Sequence, residues 1–324
     1  MRVQRISRSR RRQKTPNVAA VAALAAVATF GLVVATWSET PAASAADRAP
    51  NGTRTERDGS GMLRAYGTPV KVGNGMARTY VLLSKDGAAP AEIGVALDER
   101  AMEGLPKPNA QHAATTADGH EHVDNHVFLL SLPDEGVAPF KFVELDWNPG
   151  GHEPPGVYDT PHFDFHFYTV EQAARAAIVP SDPQFQQKAD MLPPEAQRPP
   201  LYAVAAPPGQ PAPGVPLMGV HWIDVRSPEL QQMFGKPEAY KPFTTTFLYG
   251  SWQGKYHFWE PMITRAYIMA KKSATDPKVR DEVIPIPAPA SYSEPGYYPN
   301  AYRIAYDAKA KEYRIALTSL EWRQ

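Results

Sequence analysis

Between Pro161 and Tyr168 apolar and polar side chains alternate without a break. Phe163, Phe165 and Phe167 fall on one register, and His162, Asp164, His166 and Tyr168 on the other. A period of two marks a β-strand, because successive side chains point to opposite faces. This strand lays a phenylalanine face on a core and turns two imidazoles, a carboxylate and a phenol the other way.

Strand-like segments recur along the chain. Residues 64–72, 77–83 and 91–97 read as strands, with Gly and Asp between them as turns. Residues 127–132 form a short apolar strand, and 140–147 alternate like a half-buried one. Beyond the central strand come 217–225, 243–249 and a long apolar strand over 256–269 that includes Glu260. The C-terminus reads as a hairpin, 302–306 with 313–320, turned at 307–311. Two short helices are expected, over 169–178 with Thr169 as its cap and over 182–191. The predicted fold class is mainly β to α+β: an antiparallel sandwich or barrel-like core with a few short helices.

Residues 1–17 carry seven basic residues and no acid, an Ala/Val-rich stretch runs from 18 to 37, and small residues follow in Ala42-Ala43-Ser44-Ala45-Ala46. This is the layout of a signal peptide over 1–46, with an uncleaved N-terminal anchor as the rival, and it predicts an exported protein, secreted, periplasmic or held at the cell envelope. Ser9-Arg10-Arg11 hints at twin-arginine export, although the apolar residues that usually follow are missing. Residues 47–62 read as a flexible lead-in, and 63–324 as a single β-rich domain. Nine prolines fall within 192–216. Such a stretch suits an interdomain linker or an ordered surface excursion. The excursion is preferred, because the segments on both sides carry histidines that could share one site.

Without residues 1–46 the chain loses seven bases and one acid, leaving 27 basic and 33 acidic residues and a net charge of −6. With no basic cluster it is a poor partner for nucleic acid. Membrane contact would come only through an uncleaved N-terminal segment. The chain has no cysteine, which excludes disulfides, thiol catalysis, iron–sulfur clusters and thiolate zinc sites.

The candidate chemistry centres on the His/Asp strand. Three imidazoles, His162, His166 and His221, would suit catalytic zinc. However, residues i and i+4 on a strand lie about 13 Å apart at roughly 3.3 Å per residue, too far to share an ion unless the strand bulges. A set of Asp164 with His162 or His166, completed by His221, is geometrically easier and suits iron(II), manganese or zinc. His152 and Glu153, on the Pro/Gly-rich loop entering the strand, offer a further ligand and a general base, and Glu260 is a second candidate base. The bland alternative is a buried hydrogen-bond network beneath a polar loop. His120 and His122 read as solvated loop residues beside His112, and His257 as a packed strand residue. Tyr292, Tyr297, Tyr298 and Tyr302 of the C-terminal region could stack on a small-molecule ligand, but better suit covering the core or an oligomer contact.

The motifs Trp147-Asn148-Pro149-x-Gly151-His152-x-Pro154-x-Gly156-Val157-Tyr158 and Pro161-His162-Phe163-Asp164-Phe165-His166-Phe167-Tyr168 resemble those of a bacterial family of exported proteins. Met218-Gly219-x-His221-x-x-Asp224, Thr246-Phe247-x-Tyr249-Gly250 and Glu260-Pro261-Met262-Ile263-Thr264 fit the same family. It is a domain family of unknown function, and it includes a Thermus protein under extracytoplasmic sigma-factor control. The resemblance spans most of the chain from about residue 60. It implies an exported homo-oligomer linked to envelope stress, but assigns no reaction and no catalytic residue. Two functions therefore stand open: a metal-binding protein with metal-assisted hydrolytic or lyase chemistry, or a non-enzymatic envelope protein that binds a small ligand.

Overall fold

Phe163, Phe165 and Phe167 are fully buried, and the sheet that carries them is one of two that share a core. A computed structural model describes residues 54–57, 60–108, 125–133, 137–206 and 209–324. The segments read as signal peptide and most of the lead-in, together with His112, His120 and His122, lie outside the described residues.

The first sheet begins with β1 (Arg54–Arg57), β2 (Leu63–Tyr66), β3 (Val70–Val72), β4 (Gly75–Leu83) and β5 (Pro90–Asp98). The second is built from β6 (His126–Ser131), β7 (Phe142–Asn148), β8 (His162–Tyr168), β9 (Tyr202–Val204), β10 (Gly214–Val215), β11 (Gly219–Asp224), β12 (Thr245–Trp252) and β13 (Lys255–Thr264). The chain then returns to the first sheet with β14 (Asp281–Pro285), β16 (Ala301–Asp307) and β17 (Glu312–Thr318), while β15 (Gly296–Tyr298) pairs with β18 (Glu321–Arg323). The first sheet runs β1-β2-β4-β5-β17-β16-β14 and the second β10-β11-β12-β13-β8-β7-β6, with β3 on β4 and β9 on β11. All the pairings are antiparallel.

The two sheets form a sandwich. Val81, Ile93, Val95, Ile315 and Leu317 of the first share one core cluster with Val143, Leu145, Phe163, Phe165, Phe167, Trp259 and Ile263 of the second. The tyrosines Tyr298 and Tyr302 belong to this core, and Tyr292 stacks on Tyr298 with ring centroids 3.8 Å apart. Residues 192–216 supply β9 and β10, which pair with β11.

Some element boundaries differ from the sequence pattern. The 256–269 segment is not one strand: it bends at Thr264, whose hydroxyl accepts from the Tyr267 amide at 3.2 Å and caps a helix, α3 (Arg265–Ser273). A side-chain oxygen that offers the first orphan donors a partner ends the ladder there. Residues 64–72 divide into β2 and β3 around Pro69, which has no amide to give a ladder. The two short helices, α1 (Gln172–Ala176) and α2 (Phe185–Ala189), are briefer than their apolar patterns. Glu171 rather than Thr169 stands at the N-terminus of α1, with no side-chain cap bond; Thr169 lies two residues earlier, its amide bonded to the His257 carbonyl at 2.8 Å.

Candidate metal centre

The face of the second sheet that looks away from the core is covered rather than wet. Tyr158, Leu230, Phe243, Leu248 and Met262 cluster on one part of it, and Phe142, Tyr168 and Phe258 on another. Between them lies a polar row set by strand register. Asn148 stands opposite His162, Asp146 opposite Asp164, and Glu144 opposite His166. On the other side of β8, Thr264 pairs with His162 and Met262 with Asp164, so Glu260 falls beside His166. Asn148, His162, Asp164, His166, Glu144, Asp146 and Glu260 are all buried.

His152 reaches this row from the loop between β7 and β8. The loop closes on itself through a bridge between His152 and Tyr158. Gly151 makes the bend possible: its φ is +79°, and a Cβ there would come within 2.0 Å of the Tyr158 carbonyl. His221 reaches the row from β11, opposite Gly250. A Cβ at Gly250 would lie 1.9 Å from the Phe258 ring. The glycine thus lets Phe258 pack under both imidazoles, 4.9 Å from the His166 ring and 5.3 Å from that of His221.

Two groups emerge, each of two histidines and one carboxylate. In the first, the Asp164 carboxylate lies 3.4 Å from His152 Nε2 and 3.3 Å from His162 Nε2. In the second, Glu260 Oε2 lies 3.6 Å from His166 Nε2 and 3.8 Å from His221 Nε2. In each group the ligand atoms lie within 4.8 Å of one another, which is close enough for a metal ion to be held between them. The separations exceed a good N–H···O bond of about 2.7–3.2 Å. They bracket or approach the edge of a tetrahedron of 2.0–2.1 Å metal–ligand bonds, about 3.4 Å.

The proton positions in the first group follow from its neighbours. His162 Nδ1 lies 2.6 Å from the Thr160 carbonyl, and His152 Nδ1 lies 2.7 Å from that of Glu153. A carbonyl only accepts, so each Nδ1 carries the hydrogen. Each ring then turns its Nε2 toward the same carboxylate. Asp164 also accepts from Asn148 Nδ2 at 2.7 Å.

Burial works against the charged form of His162, His166 and His221. Burial lowers His162 below its usual range, against the pull of Asp164. Burial takes His166 down to about 3 and His221 to about 4, the latter helped by His152. Burial would raise Asp164, but His162 and the bond and charge of His152 outweigh it and hold this carboxyl well below the ordinary range. Burial pushes Asp146 and Glu260 well up, reinforced by repulsion among Glu144, Asp146, Asp164 and Glu260. Glu144 rises to about 7 through burial, opposed by Arg175. The Arg175 guanidinium, from α1, is ion-paired to Glu144 Oε2. Among the described residues, Asp146 Oδ1 and Oδ2, His162 Nε2, Asp164 Oδ1, His166 Nδ1 and Nε2, and Glu260 Oε2 are buried without a hydrogen-bond partner. Buried polar atoms in native proteins are rarely left so.

The structure thus brings together His152, His162, Asp164, His166, His221 and Glu260 on one face, but divides them differently from the sequence reading. His221 goes to Glu260 and His166 rather than to Asp164, and His162 and His166 fall in separate groups, as strand spacing requires. Glu260 stands as a potential ligand beside two imidazoles. Glu153 meets the site through its backbone carbonyl, and its side chain is exposed. His257 is a packed residue bonded to the Met218 carbonyl at 2.7 Å. Glu144, Asp146 and Arg175 were not singled out in the sequence. The signal for the first two was present, since Glu144, Asp146 and Asn148 alternate with Val143, Leu145 and Trp147.

Comparison with known proteins finds no matching family model, no matching curated protein and no matching solved structure. The chemistry of the site therefore rests on its own geometry.

Proposed function

We propose that this is an exported protein that binds a divalent metal ion between His152, His162 and Asp164. Two histidines and one carboxylate, with no thiolate in reach, suit zinc, iron(II) or manganese. The observation that carries the reading is the convergence of His162 Nε2 and His152 Nε2 on the Asp164 carboxylate from 3.3 and 3.4 Å. A cation between them completes a coordination set whose Nδ1 hydrogens are already fixed by backbone carbonyls. The His152 side chain is 31% exposed, which leaves one side of the set open to water or a small substrate. An ion there would make a bound water nucleophilic near neutral pH or polarise a carbonyl, so hydrolytic or lyase chemistry is the activity class to screen.

The rival, a metal-free network in a ligand-binding envelope protein, draws on the Asn148–Asp164 bond and the Arg175–Glu144 pair. Metal analysis by mass spectrometry, on untagged protein taken from its exported compartment, separates the two. The metal reading expects at least one equivalent, with the first centre's ion lost in His162→Ala and in Asp164→Ala. Metal content unchanged in both variants refutes it. No bound metal, even after incubation with each ion, leaves the network reading.

A further inference from the structure

The second group has the parts of a metal centre of its own. His166 and Glu260 are 1% and 2% exposed. Both His166 ring nitrogens and Glu260 Oε2 lack a hydrogen-bond partner among the described residues. His166 Nε2 and His221 Nε2 converge on that oxygen from 3.6 and 3.8 Å. On its other side the His166 ring turns Nδ1 toward Asp146 Oδ2, 3.8 Å away. At this distance there is no hydrogen bond; closed as the ring takes up an ion, it would put a carboxylate behind a ligating imidazole, which fixes the tautomer and raises the basicity. Glu144, Asp146 and His166 also lie close enough to hold an ion. Glu144, however, already contacts the Arg175 guanidinium, and that fixed positive charge disfavours a cation beside it. Asp146 is therefore better placed to orient His166 than to bind metal.

Asp164 and His166 are two residues apart on β8, so ions at the two groups would lie on the order of 7 Å apart at 3.3 Å per residue. That exceeds the roughly 3.5–4 Å of paired-metal sites, so the two centres do not share a bridging ligand.

We infer that the protein holds two separate divalent ions per chain, the second bound by His166, His221 and Glu260 with Asp146 positioning His166. The His221 side chain is 20% exposed, so this ion also has a solvent side and exchanges through it. The inference adds a site to the function proposed above and does not need the first site to be filled.

The test is titration of chelator-stripped full-length protein with cobalt(II) alone, followed by its visible absorption, and with zinc(II) by calorimetry. Wild type takes up two equivalents. The near-isosteric Glu260→Gln and the more exposed His221→Ala each reduce this to one and leave the spectrum of the first centre. His162→Ala also reduces it to one and leaves the spectrum of the second. Asp146→Asn keeps two equivalents and weakens the second about 10–100-fold, the usual cost of losing an orienting carboxylate. A circular dichroism spectrum matching wild type shows that each variant folds. One equivalent that disappears in Asp164→Ala but survives Glu260→Gln overturns the second centre and leaves the first. One equivalent lost in both variants overturns the two-centre arrangement in favour of a single shared ion. No uptake overturns both readings.

Discussion

If the two groups hold metal, stripping it should cost this protein a large part of its thermal stability, and the size of the loss follows from the site. Four ligand atoms, His162 Nε2, Asp164 Oδ1, His166 Nε2 and Glu260 Oε2, are buried without a hydrogen-bond partner among the described residues. A buried polar group left unsatisfied costs roughly 1–3 kcal/mol. At the low end, relieving all four by coordination is worth about 4 kcal/mol. Divided between the two centres this is about 2 kcal/mol each, which linkage gives when free ligand is about 30 times Kd. With roughly 10 µM free zinc this corresponds to a Kd of about 0.3 µM at each. For a domain of this size each kcal/mol moves Tm by about 2–4 °C, so removing metal should lower Tm by roughly 8–16 °C. The assay is tryptophan fluorescence on heating, comparing native protein, protein stripped by chelator and dialysed, and stripped protein with zinc restored. Stripping should bring the fall and zinc should reverse it, while an Asp164→Ala/Glu260→Gln double variant should melt at the same temperature in all three conditions. A wild-type shift below about 1 °C between the stripped and zinc-loaded states would refute the reasoning, because the orphaned atoms would then be satisfied some other way.

Arg175→Met strands a buried Glu144 beside Asp146 and should destabilise by about 3–5 kcal/mol, largely recovered when Glu144→Gln is added; urea unfolding of the single and double variants measures both, and failure of the double to recover rejects the ion pair as the cause. His257, taken down to about 4 by burial, has a native pKa below the unfolded value near 6.5. The stability it contributes is therefore whole above pH 6.5 and lost as pH falls through 4, about 3 kcal/mol in all. His257→Gln, which can still donate to the Met218 carbonyl, should shallow the acid limb of a denaturation-against-pH profile, and an unchanged limb would exclude His257 as a source of it. Gly250→Ala sets a Cβ against the Phe258 ring and should cost about 1–3 kcal/mol while weakening metal uptake at His166 and His221 more than at Asp164; equal weakening at both would show the ring is not the local support of the second group.

How much of this was legible in the sequence depends on what alternation can and cannot fix. The run from His162 to Tyr168 places its phenylalanines in the core and its polar residues on the far face, and the structure follows it residue by residue. The same rule applied to 142–148 puts Glu144, Asp146 and Asn148 on that face too. The helix α3 was hidden because Tyr267, Ile268 and Met269 continue the apolar run of β13. Only the Thr264 cap marks the break. A period of two decides which face a residue occupies, since a slip of one residue would reverse every side chain. A slip of two residues leaves every face unchanged, and the alternation has nothing to say against it. In the observed register Met262 faces Asp164 and Glu260 lies beside His166. Moved by two, Glu260 would sit beside Asp164 and the carboxylates would be paired instead of shared between two histidine pairs. The same register runs on to the strand's end, where the Arg265 amide donates to the Pro161 carbonyl at 3.0 Å as Thr264 turns the chain into its helix. Sequence could therefore name most of the candidate ligands but not group them, because the grouping depends on a register that alternation leaves open.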